Sequence, residues 1–116
     1  MIQNSFEKDL IFNDERVKIT PILETSFTKE IRITFKEGQV MKEHKAGYPI
    51  IVHLLKGEVE FGVENEIYNL KEGDILALDA NVPHDLKAFQ ESIVRLSLSK
   101  LDKVERVEKV SLDSKS

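Results

Sequence analysis

Three glycine breaks divide the middle of this chain into short alternating runs, and that pattern limits its fold more than any other feature. Lys36-Glu37-Gly38, Leu55-Lys56-Gly57 and Lys71-Glu72-Gly73 each follow an apolar or alternating stretch. Glycine takes up left-handed backbone without steric cost, so each break reads as a turn at the end of a strand. Ile31-Arg32-Ile33-Thr34-Phe35 alternates apolar with polar, which predicts Ile31, Ile33 and Phe35 on one buried face. Val59, Phe61 and Val63 follow the same rule, as do Val94, Leu96 and Leu98. Glu64-Asn65 separates two such runs, and because Asn tolerates a positive φ the pair predicts a two-residue hairpin.

Two segments break the alternation. Ile50 to Leu55 is apolar on both faces apart from His53, and Ile75 to Leu78 is apolar throughout. Both are predicted to be covered on two sides. Outward-facing Ile51 and Leu55 then need another chain segment over them or the second subunit that a homodimer would supply. About eight short strands at this spacing indicate an all-β sandwich or barrel.

At 116 residues the chain holds one domain, since two cores would each be too small. The expected division is an N-terminal arm over residues 1–16, a barrel core over about 17–98 and a tail over 99–116. Residues 5–16 suit a helical turn or irregular structure. From Leu101 onward a short C-terminal helix is expected. Leu101, Val104 and Val107 recur every third residue, and Asp102–Arg106 and Glu105–Lys109 form acid-first i,i+4 pairs.

Composition removes several functions. With no cysteine there is no disulfide, thiolate metal site or thiol nucleophile. A net charge of −4, with lysines scattered among acids, argues against nucleic acid or anionic lipid as partner. No apolar run is long enough to cross a membrane, and the N-terminus lacks the basic start and apolar stretch of a secretory signal. Cytoplasmic residence is the expectation. Serine-elbow, phosphate-loop and H-E-x-x-H motifs are all missing from the sequence.

Two blocks carry the remaining chemistry. Gly38 is followed by His44, Ala46, Ile50 and Gly57; Gly73 is followed by Asp79, Asn81, Pro83 and His84. In this spacing they resemble the two signature motifs of the cupin superfamily, G-x5-H-x-H-x3-4-E-x6-G and G-x5-P-x-G-x2-H-x3-N. The resemblance runs over residues 30 to 98 and implies a small, single-domain, RmlC-like cupin. Its fold would be a double-stranded β-helix, or jelly-roll barrel. It makes His44 and His84 the outer metal histidines, places Ala46 where the family has its second histidine, and places Ile50 where it has its glutamate. Asn81 stands at a glycine of the second motif, where left-handed backbone is expected.

The same comparison locates a pocket at His44, Ala46, Ile50 and His84. Ala46 and Ile50 have no lone pair to donate, and two imidazoles fall short of the three protein ligands usual for a metal. The ligand count therefore favours no cofactor, with a divalent metal on His44 and His84 as the competing reading. His53 lies three residues beyond Ile50, so alternation turns it outward. Lys42 shares the parity of His44, which allows it a place at the rim, but a solvated lysine is the favoured reading. Three functions remain open. One is binding of a small, largely apolar molecule in the barrel. Another is a dioxygenase- or isomerase-like enzyme using His44 and His84, with metal or with one imidazole as base. The third is a structural or partner-binding dimer without ligand.

Overall fold

The structure is a computed structural model in which residues 1–100 are described. The helix expected from Leu101 onward lies outside the described residues. Nine strands follow one another among the described residues: β1 (Lys18–Glu24), β2 (Thr28–Phe35), β3 (Val40–His44), β4 (Ile50–Lys56), β5 (Glu58–Val63), β6 (Glu66–Lys71), β7 (Ile75–Leu78), β8 (His84–Ala88) and β9 (Ser92–Ser99). They form a five-stranded antiparallel sheet, β1-β2-β9-β4-β7, and a four-stranded antiparallel sheet, β3-β8-β5-β6. This is a jelly-roll barrel, the all-β architecture expected. No helix among the described residues is long and apolar enough to cross a membrane.

The core fills the space between the sheets. Ile31, Ile33 and Phe35 of β2, Ile50, Val52 and Leu54 of β4, and Val94 of β9 meet Val59, Phe61, Leu70, Leu86 and Ala88 of the other sheet. Each set lies at alternate positions of its strand, as the two-residue side-chain period requires. The hairpin between β5 and β6 has Glu64 and Asn65 both at positive φ (52° and 64°), the type I′ geometry that matches strand twist. Val63 pairs with Glu66 across it, which sets the register of both strands.

β1 falls inside the span expected for the barrel core, although Pro21 and a β-bulge between Pro21 and Leu23 interrupt its alternation. Two expectations need correction. β2 is buried on both faces rather than one: Arg32 is 2% exposed and Thr34 1%. The cover is the irregular N-terminal arm. Arg32 donates hydrogen bonds to the carbonyls of Phe6, Lys8 and Asp9, and the Thr34 hydroxyl donates to the Ile11 carbonyl. β7, expected to be covered on both sides, is the edge of its sheet, with Ile75 56% exposed. A run of four apolar residues does not reveal whether a strand has one neighbour or two.

Candidate functional site

β3 and β8 are neighbours in the four-stranded sheet, and His44 at the end of β3 pairs directly with His84 at the start of β8. The two imidazoles therefore sit side by side on adjacent strands. Their ring centroids are 4.4 Å apart, with the planes tilted by 60°. A β-bulge between Met41 and His44 brings both of those residues inward. Lys42 is exposed, the solvated position favoured for it.

Each imidazole is fixed by its own chain. His44 Nδ1 lies 2.7 Å from the Lys42 carbonyl oxygen, and His84 Nδ1 lies 2.9 Å from that of Val82. A carbonyl oxygen can only accept, so each Nδ1 carries the proton. In the neutral ring that leaves Nε2 as an acceptor with a lone pair. His84 is 3% exposed and stacks on Phe61, with centroids 5.6 Å apart and planes 19° from parallel. Burial, reinforced by the neighbouring His44, holds its pKa below the ordinary histidine value of 6.5, against the opposing effect of the Val82 carbonyl. His44 is only half-buried, so the pair runs from the core toward the surface.

The other two predicted pocket residues come from elsewhere. Ile50 begins β4 in the opposite sheet and is buried facing inward. Ala46, on the loop after β3, packs against the core, and its carbonyl accepts a 2.7 Å hydrogen bond from the Asn81 backbone NH. Asn81 has φ 67°, the left-handed backbone expected of it, and so the loops of the two motif blocks are tied together. His53 faces out, between Ile75 and Arg95 in register. Asp79, Asp85 and Glu43 are exposed, Asp85 lying over Gly62 on the outside of the sheet. A groove of about 370 Å³ at the ends of β2, β4, β7 and β9 takes in Ile50, Ile51 and Phe27 but neither histidine. Phe61, missing from the predicted pocket, was findable only through the β5–β8 register that sets it opposite Leu86, beside His84.

The model of the cupin domain family matches residues 31–99 of the sequence. This chain is a cupin. Among curated proteins, comparison found no match to it. Solved structures share its fold. An RmlC-like cupin from Desulfovibrio desulfuricans is 22% identical with a TM-score of 0.78, over 86% of this chain and 97% of that one. The protein TT1209 from Thermus thermophilus is 19% identical (TM-score 0.76; 85% and 98% covered), and KdgF from Halomonas sp. 18% identical (TM-score 0.75; 86% and 94% covered). At these identities the likeness speaks for the fold alone.

A metal of the kind the cupin motifs hold would need more donors than the described residues of this cupin bring together. His44 and His84 are joined by an alanine and an isoleucine, and no group of three or more His, Cys, Asp or Glu is placed to hold a metal ion among the described residues. The donor set does not fit.

Proposed function

We propose that this cupin binds a small, largely apolar molecule carrying a hydrogen-bond donor, with the donor held by the Nε2 atoms of His44 and His84. The observation that carries this reading is the pair of carbonyl locks on Nδ1, at Lys42 and Val82. They fix both rings in the tautomer that offers an acceptor, at no further ordering cost when a ligand arrives. Phe61, Ala46 and Ile50 supply apolar surroundings in which a hydrogen bond gains strength and an unpaired donor is costly. A ligand with both an apolar body and a donating edge fits that setting.

Phenol and toluene separate the two contributions, because they share a ring and differ in one donor. Titrated into protein labelled on its imidazole nitrogens, phenol is expected to shift the Nε2 signals of His44 and His84 saturably. Toluene should bind more weakly by about tenfold, the worth of one hydrogen bond in a dry site. A His44→Ala/His84→Ala variant that binds phenol as well as the parent, or a parent with no saturable response, overturns the reading. The latter result leaves the ligand-free structural protein as the better account.

A further inference from the structure

Arg32 is a buried cation without an anion. Its two Nη atoms donate to three backbone carbonyls of the arm, while its Nε is buried with no hydrogen-bond partner. Carbonyls satisfy donors but do not cancel charge. The ion pairs of the described residues leave Arg32 out. Its cross-strand neighbour is a second arginine, Arg95, whose Nε is likewise buried and unpartnered. The carboxylate nearest that pair is Glu30, 3.9 Å from Arg95 Nη1, and its oxygens already accept from the Ser97 and Thr28 hydroxyls. The outside of the five-stranded sheet therefore holds excess positive charge in a place where water screens it poorly.

A groove of about 350 Å³ opens directly over this charge, between the arm and β1–β2. Its wall contains Arg32, Lys8, Lys18, Thr20 and Asn4, with Asp9 as its one acid. Thr20 stands opposite Arg32 in register, and Lys18 is two residues away on the same face of β1. The Lys8 carbonyl is bound to Arg32, which brings that lysine to the opposite lip. Neither lysine has an ion-pair partner among the described residues. Three cations against one carboxylate, on a protein whose net charge is −4, form a local exception to its surface.

We infer that this groove between the N-terminal arm and β1–β2 binds a small oxyanion, a carboxylate or a phosphate. Lys8 and Lys18 contact the anion and the buried Arg32 charge draws it in. An oxyanion supplies both the counter-charge the arginine lacks and acceptors for the lysines, Thr20 and Asn4.

The test uses the full chain, ¹⁵N-labelled, with inorganic phosphate titrated at ionic strength held constant by sodium chloride. Saturable shifts are expected at residues 8–9 and 18–22 and at the Arg32 Nε–H signal. A Lys8→Gln/Lys18→Gln variant, with Arg32 left to hold the arm, should keep its thermal midpoint. It should bind phosphate weaker by about tenfold or more, the loss of at least one charge-assisted hydrogen bond. Acetate matching phosphate assigns the site to carboxylates; phosphate binding tighter assigns it to phosphoryl groups. Shifts that grow linearly and match those from chloride alone, or a double variant that binds like the parent, overturn the inference.

Discussion

His84 is a base whose surroundings favour its neutral form, and through it pH acts on the fold. Buried against Phe61 and beside a second imidazole, it is harder to protonate folded than unfolded. As pH falls the unfolded chain takes up that proton first, so the stability contributed by neutral His84 is present above its unfolded value of 6.5 and is lost below it. The thermal midpoint should therefore fall between about pH 7 and about pH 5, and a His84→Gln variant should show a shallower fall over the same range. Equal slopes for the two proteins would refute this role. The histidines themselves were legible from their distances to Gly38 and Gly73. Their side-by-side pairing was not, because it depends on which strands become neighbours.

Turns govern the elements of this fold, and Gly57 shows how strictly. It has φ 99°, and a Cβ there would lie 2.2 Å from Ser92 Oγ and 2.5 Å from the Glu91 carbonyl oxygen. Ser92 in turn accepts from the Glu58 NH and donates to the Gln90 carbonyl, so the start of β9 is pinned against the turn between β4 and β5. A Gly57→Ala substitution combines backbone strain with a clash against main chain. It should cost about 2 kcal/mol or more in urea unfolding; a change below about 0.5 kcal/mol would mean the turn can shift freely. The glycine turns, the Glu64-Asn65 hairpin and the inward faces of β2, β5 and β9 were all readable from local sequence. β1 was not, since its proline and bulge interrupt the alternation, and Arg32 and Thr34 gave no local sign that an arm would bury them.

At the scale of the whole molecule, the outer face of the five-stranded sheet remains partly apolar. The arm covers β2, yet Ile51 on β4, Ile75 on β7 and Phe27 before β2 are exposed, and Leu55 is half-buried. We propose that a second copy covers this face, the subunit rather than the chain segment of the two covers that outward Ile51 and Leu55 admit. Sedimentation velocity should then give a dimer for the parent and a monomer for an Ile51→Glu/Ile75→Glu variant of unchanged circular dichroism; a monomeric parent would refute it. The sequence by itself determined the all-β barrel, its glycine turns and the two histidines, because side-chain alternation and backbone sterics act over a few residues. Only the tertiary structure decided that β7 is an edge, that the arm covers Arg32, and that His44 meets His84, itself stacked on Phe61. Those outcomes depend on strand neighbours and register, which are set by contacts far apart in the chain.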